Sequence, residues 1–278
     1  LDDDFLWYEN DGSQSFTRHV IGVGNTAIAV VVADLDGDGD VDVLGGARDD
    51  DRVAWFENDG SENFTERIIS TTTDHVHDVL SADVDGDGDL DVLSASTFDD
   101  KIAWYENDGS QNFSEHIISV SADGAIRIFT ADVDSDGDLD VLSASEFDDK
   151  VAWYENDGSE NFTERVISTS ADEAWGVFAA DVDGDGDVDV LSASRNDNKI
   201  AWYENDGSQN FSEHVISNTA AGAASVFVAD VNGDGFVDVL SASVDDDTIA
   251  WYENDGEQNF IERVISTDAS FASDVFAA

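Results

Sequence analysis

Asp83-Val84-Asp85-Gly86-Asp87-Gly88-Asp89-Leu90-Asp91 is the stretch from which the rest of the chain can be read. Further copies begin at Asp34, Asp132, Asp181 and Asp230, and every step between successive copies is 49 residues. Acidic side chains fall at positions 1, 3, 5 and 9 of the stretch, and the residue at position 7 has a backbone carbonyl to offer. Hard oxygen donors at alternate positions suit Ca²⁺. The glycine after position 5 permits the sharp turn that wraps such a loop around an ion. Without a cation, four or five carboxylates within a few ångströms repel one another. A merely solvated acidic turn explains neither the alternation nor its fivefold recurrence. The loop is not an EF-hand: position 12 is Ser94, where an EF-hand needs a bidentate Glu, and both flanks have strand rather than helix patterns.

A second marker keeps the same period. Trp7, Trp55, Trp104, Trp153, Trp202 and Trp251 each open Trp-Tyr/Phe-Glu-Asn-Asp-Gly. A repeat near 50 residues means a propeller or a solenoid. One repeat predicts four strands: Val177–Ala180, then the acidic loop, then Val188–Ser194, Lys199–Glu204 and, after an Asp206-Gly207 turn, Phe211–Ile216. The expectation is an all-β fold, a β-propeller of four-stranded antiparallel blades with the first strand lining a central channel. About six blades fit the period, with seven as the alternative; a parallel β-helix usually needs shorter rungs. No linker or composition shift appears, so a single domain over residues 1–278 is expected. It comprises a partial blade at 1–22, full repeats at about 25–70, 74–119, 123–168, 172–217 and 221–266, and a partial blade at 270–278. Chain ends inside repeats suggest an excerpt of a longer protein. A six-blade ring would want a further segment equivalent to Asp83–Thr97, supplied by a parent chain or by self-association through the incomplete blade.

Composition narrows the partners. The formal net charge is −54, which argues against nucleic acid and against insertion into an anionic membrane. No apolar run reaches membrane-spanning length. There is no Cys, so disulfides say nothing about compartment, and there is no Met.

The sequence Ala-Asp-Val-Asp-Gly-Asp-Gly-Asp-Leu-Asp-Val-Leu, followed by Ala-Trp-Tyr-Glu-Asn-Asp-Gly, resembles the FG-GAP/VCBS repeat family, as in integrin α-subunits. The resemblance implies a β-propeller with about five Ca²⁺ ions, one in each loop between a blade's first and second strands. Carried onto this sequence, it implies ligands at Asp34, Asp36, Asp38, Asp40 and Asp42; Asp83, Asp85, Asp87, Asp89 and Asp91; Asp132, Asp134, Asp136, Asp138 and Asp140; and Asp181, Asp183, Asp185, Asp187 and Asp189. The last loop would use Asp230, Asn232, Asp234, the Phe236 carbonyl and Asp238, with weaker affinity because an amide replaces one acid. The family covers adhesion, surface proteins, lectins and scaffolds attached to enzymes, and fold does not choose among them.

Other residues have blander readings. The loops between successive blades and between strands two and three vary among repeats, which is where a ligand would bind on a rigid scaffold. They include Trp175, the one Trp outside the repeat pattern. The repeated Trp residues suit packing between blades rather than sugar stacking. His19, His116 and His214 alternate with Arg67, Arg165 and Arg263 at one strand position, suggesting an exposed ion-paired face. His75 and His77 are two apart, with no third ligand evident for a transition metal. Asn63, Asn112, Asn161 and Asn210 begin glycosylation sequons but suit turn chemistry. No nucleophile elbow, phosphate loop or Cys nucleophile appears, and no carboxylate stands apart from the repeat as a glycosidase pair would. The expected function is an extracellular, secreted or cell-surface calcium-binding structural or adhesive module, not an enzyme, with a protein or glycan ligand at the cell surface or matrix. The alternatives are a carbohydrate-binding lectin using the inter-blade loops and the propeller scaffold of a secreted polysaccharide-degrading enzyme.

Overall fold

A computed structural model describes residues 4–277. It contains strands, turns and one short 3₁₀ segment at Arg48–Asp50, with no α-helix among the described residues. β1 (Asp4–Asn10) and β2 (Phe16–Val23) form a two-stranded sheet. Five four-stranded sheets follow. The first is β3 (Ala27–Ala33), β4 (Asp42–Ala47), β5 (Arg52–Asn58) and β6 (Phe64–Ser70); the second is β7 (Val76–Ala82), β8 (Asp91–Ser96), β9 (Lys101–Asn107) and β10 (Phe113–Ser119). The third is β11 (Ala125–Ala131), β12 (Asp140–Ser145), β13 (Lys150–Asn156) and β14 (Phe162–Ser168). The fourth is β15 (Ala174–Ala180), β16 (Asp189–Ser194), β17 (Lys199–Asn205) and β18 (Phe211–Ser217). The fifth is β19 (Ala223–Ala229), β20 (Asp238–Ser243), β21 (Thr248–Asn254) and β22 (Phe260–Ser266). Each is an antiparallel meander in chain order, the blade expected from the repeat. The first strand of a blade starts about three residues earlier than its apolar run suggests, because the inter-blade entry residues already pair with the second strand.

Strand composition explains the layers. Second strands carry Asp-Val-Leu-Ser-Ala-Ser or a close variant and are buried throughout. Such unbroken apolar and small-residue runs suit a strand covered on both faces. Fourth strands are exposed over most of their length, as at the outer edge of a blade.

The chain divides into two compact units, Leu1–Ala125 and Ile126–Ala278. In the first, Leu44, Val53, Trp55, Val76, Val79, Val92, Ala103 and Tyr105 make the layer between two neighbouring blades. Phe5 and Phe56 pack beside them with ring centroids 5.0 Å apart. Gly45 stands where the second strands of later blades carry Ser94 or Ser143, and a Cβ there would lie 2.4 Å from the Phe5 ring. In the second unit, Trp153, Val177, Val190 and Tyr203 fill one inter-blade layer, and Trp202, Val226, Val239 and Tyr252 fill the next. Trp202 meets Phe260 of the following blade edge-on at 6.4 Å, so the repeated Trp is a packing residue. Phe129, Phe178, Phe227 and Phe276 form an aromatic column at centroid spacings of 4.5, 5.0 and 5.1 Å.

One sequence expectation needs correction. Val275-Phe276-Ala277 predicts a first strand, yet residues 267–277 contain none. The segment nevertheless lies along β19, where Ser225 Oγ donates to Asp274 Oδ1 at 2.7 Å. Among the described residues no second strand pairs with it, and a lone extended segment has no ladder.

Candidate metal centre

Each acidic loop joins the first strand of a blade to the second, and position 9 is the first residue of that second strand. The side chains at this position, Asp42, Asp91, Asp140, Asp189 and Asp238, are fully buried. Each carboxylate is pinned by two backbone donors. Asp91 Oδ2 accepts from Val84 N at 3.0 Å and its Oδ1 from Asn107 N at 2.8 Å. Asp42, Asp140, Asp189 and Asp238 repeat the pair with Leu35 and Asn58, Val133 and Asn156, Val182 and Asn205, and Val231 and Asn254.

Positions 1, 3 and 5 curl the loop through their own backbone. Asp83 Oδ2 accepts from Gly88 N, Asp85 Oδ1 from Asp87 N, and Asp87 Oδ1 from Asp89 N, at 2.9–3.1 Å. The same bonds recur from Asp34, Asp36 and Asp38; Asp132, Asp134 and Asp136; and Asp181, Asp183 and Asp185. The curl requires left-handed backbone at positions 4 and 6: Gly86 has φ +74° and Gly88 φ +100°. The third loop has Ser135 at position 4, held at φ +61°.

This curl leaves carboxylate oxygens converging. Asp34, Asp36 and Asp42 place one oxygen each within 4.8 Å of one another, as do Asp83, Asp85 and Asp91, and Asp181, Asp183 and Asp189; in the third loop the trio is Asp132, Asp134 and Asp136. Asp34 Oδ1 and Asp83 Oδ1 are buried without a hydrogen-bond partner. A buried anionic oxygen with no donor is costly unless a cation faces it. The donor set therefore fits a hard divalent ion, and these residues would hold it.

Electrostatics point the same way. Burial is the main cause pushing Asp91, Asp140 and Asp189 up to about 6, partly offset by their two backbone N–H donors. Asp42 is raised for the same reason. Burial also raises Asp85 and Asp183, with the neighbouring carboxylates Asp87 and Asp185 adding to the shift. Charge crowded into a partly dry loop is penalised until something neutralises it.

The other expected ligands divide clearly. Position 7 turns its side chain away: Asp40, Asp89, Asp138 and Asp187 lie so close to Gly60, Gly109, Gly158 and Gly207 that a Cβ there would be 2.3–2.5 Å from a carboxylate oxygen. Phe236 packs on Gly256 in the same way. Position 7 thus carries its side chain away from the other carboxylates of the loop, and its backbone carbonyl is what it could offer an ion. The fifth loop, with Asp230, Asn232, Asp234 and Asp238, brings no three carboxylates together among the described residues. Its Asn232 Nδ2 instead donates to Asp234 Oδ2 at 2.8 Å.

Sequence reasoning missed the Asn of Asn-Asp-Gly, read only as part of a turn. Asn107 ties its own loop to the preceding one: Nδ2 donates to Leu90 O at 3.1 Å and to Leu35 O of the neighbouring blade at 3.2 Å. Asn205 and Asn254 make the equivalent pairs. Its recurrence in all six copies was the available signal.

The chain belongs to the FG-GAP-like repeat family. The family model matches six overlapping segments, 2–45, 34–94, 83–143, 132–192, 181–241 and 230–278. No curated protein sequence matches the chain. Its fold is similar to that of an Agrocybe aegerita lectin that recognises non-reducing terminal N-acetylglucosamine, at TM-score 0.66 and 19% identity over 97% of this chain and 76% of the lectin. It is also similar to a functionally unknown Desulfotomaculum acetoxidans protein, at TM-score 0.67 and 12% identity over 98% and 81% of the two chains. The Vibrio cholerae biofilm matrix protein Bap1 matches at TM-score 0.54 and 18% identity, over 86% of this chain and 39% of Bap1. No helix among the described residues is long and apolar enough to cross a membrane.

In this FG-GAP-like chain the remaining candidates have structural partners. His116 and His214 bond Glu106 and Glu204 at 2.8 Å and stack on Trp104 and Trp202. Arg67, Arg165 and Arg263 pair with Glu57, Glu155 and Glu253. The expected exposed ion-paired face is present. His75 stacks on Phe98 at 4.1 Å and lies outside β7, so it does not share a strand face with His77. Asn63, Asn112, Asn161 and Asn210 donate to the Asp two residues into each hairpin turn, Asp59, Asp108, Asp157 and Asp206. Trp175 is half-buried under the Arg195 guanidinium, 4.6 Å from its ring centroid.

Proposed function

We propose that this chain is a non-catalytic, extracellular adhesive module whose blades are stabilised by Ca²⁺ in the five acidic loops. The observation that carries the reading is the convergence of three carboxylates in four loops, with Asp34 Oδ1 and Asp83 Oδ1 buried and unpartnered. Such oxygens favour a hard cation. Millimolar extracellular Ca²⁺ matches the Kd of about 10⁻⁴–10⁻³ M typical of extracellular modules. A glycan at a cell surface or matrix is the favoured ligand class, supported by likeness of fold to a lectin and to a biofilm matrix protein. The ligand would sit on the inter-blade loops, whose residues differ among repeats while the calcium loops barely change.

Differential scanning calorimetry with and without EDTA tests the calcium reading. Each site at 10–100 times Kd adds roughly 1.4–2.7 kcal/mol, so chelation lowers Tm strongly. A Tm indifferent to EDTA would sink it. A glycan array in excess Ca²⁺ tests the ligand class separately.

A further inference from the structure

The buried carboxylates at position 9 of neighbouring loops are joined by a run of hydrogen bonds. Asp189 Oδ2 of the fourth loop accepts from Val182 N at 3.0 Å. The carbonyl of the same residue, Val182 O, accepts from Asn254 Nδ2 of the next blade at 3.3 Å. Asn254 N in turn donates to Asp238 Oδ1 of the fifth loop at 2.8 Å. The run continues in the other direction. Asp189 Oδ1 accepts from Asn205 N at 2.8 Å, and Asn205 Nδ2 donates to Val133 O of the third loop at 3.2 Å. Val133 N donates to Asp140 Oδ2 at 2.9 Å. The first and second loops repeat the step through Asp42, Leu35, Asn107 and Asp91. Asn107, Asn205 and Asn254 are 1–2% exposed, so the run lies in the interior. Hydrogen bonds in such surroundings are strong and polarise one another.

We propose that Asn107, Asn205 and Asn254 are positioning residues for two metal loops at once, and that they make calcium binding in adjacent loops cooperative. The proposal rests on the calcium reading above and adds its regulation. Each Asn holds its own loop through a backbone N–H to position 9, and the preceding loop through a side-chain N–H to position 2. Position 2 in turn donates to position 9 of that preceding loop. Ordering of one loop therefore fixes the Asn on which position 9 of the next depends. The fifth loop should gain most, since it brings no three carboxylates together among the described residues. Through-space electrostatics predicts the opposite sign. A cation held in the fourth loop weakens the negative field that draws a second cation to the fifth. Positive coupling is thus the signature of the hydrogen-bonded run.

The test is a calcium titration of the 278-residue chain, read by nuclear magnetic resonance at the backbone amides of Gly186 and Gly235. These glycines stand at position 6 of the fourth and fifth loops and donate to Asp181 and Asp230. Asp181→Ala withdraws one of the fourth loop's converging carboxylates and touches no bond of the run. It should raise the Gly235 midpoint about fivefold or more. Asp187→Ala removes the same charge from a side chain turned away from the loop, and should leave Gly235 unchanged. Asn254→Ala keeps the backbone donor to Asp238 and removes the bond to Val182 O. In that background Asp181→Ala should have no further effect on Gly235, which closes a double-mutant cycle. If Asn254→Ala fails to fold, Asn254→Ser takes its place, because its hydroxyl can still accept from Gly256 N in the turn. A Gly235 midpoint that Asp181→Ala lowers or leaves unchanged, or an effect that survives loss of the Asn254 amide, overturns the coupling and leaves the calcium reading intact. No calcium-dependent shift at either glycine overturns both.

Discussion

Asp91 Oδ1 accepts the Asn107 backbone N–H at 2.8 Å, joining the acidic loop to the hairpin turn that follows the repeated Trp. The bond spans 16 residues and recurs in every complete blade. It fixes position 9 before any ion is considered.

Asp91→Ala removes the acceptor for both Val84 N and Asn107 N. Each buried donor left unpaired costs about 1–3 kcal/mol, so the variant should melt lower even in EDTA. Asp89→Ala, whose side chain rests on Gly109 outside the cluster, should stay within about 0.5 kcal/mol of the parent. Equal losses in chemical denaturation would contradict this division of roles.

Among the ligand positions, Asp85→Ala should cost more calcium affinity than Asn232→Ala. Asp85 contributes a carboxylate oxygen to a converging trio, whereas Asn232 brings no charge and already satisfies Asp234 through its amide. Isothermal titration of the two variants decides, and matching losses would count against it.

The pH dependence should change sign with calcium. In the metal-free protein Asp91, Asp140 and Asp189 are held at about 6, above the ordinary 3.8 of the unfolded chain. Between these values the folded state binds more protons, so stability is greatest at the acid end of the window and falls as pH rises through about 6. Acidification from 7 towards 5 should therefore raise Tm in EDTA. In saturating Ca²⁺ the ion must displace those protons, so the same acidification weakens binding and lowers Tm. Parallel pH trends in the two media would refute the assignment of these residues.

Ser135→Gly should stabilise the third loop. Ser135 is held at φ +61°, where the other four loops place Gly37, Gly86, Gly184 and Gly233. A left-handed non-glycine residue costs about 1–2 kcal/mol, offset in part by the greater backbone entropy of unfolded glycine. A small rise in Tm is expected in calorimetry; a fall would show that the serine hydroxyl contributes more than the strain.

The sequence by itself determined the repeat, the four-strand blade and the loops that gather carboxylates. All three are local: a period of 49 residues, alternation within strands, and Asx turns whose donor and acceptor lie two to five residues apart. Only tertiary structure decided what each acid does, because burial and long-range pairing assign the roles. Position 7 looks like positions 1 and 3 in sequence, yet Asp89 is drawn out over Gly109, 20 residues on. Position 9 is set apart by a bond to Asn107 across two strands. The partial blade at 1–22 was legible from the repeat count, but its effect on side chains was not: Tyr8 has the same neighbours in sequence as Tyr105, yet it is exposed where Tyr105 is buried.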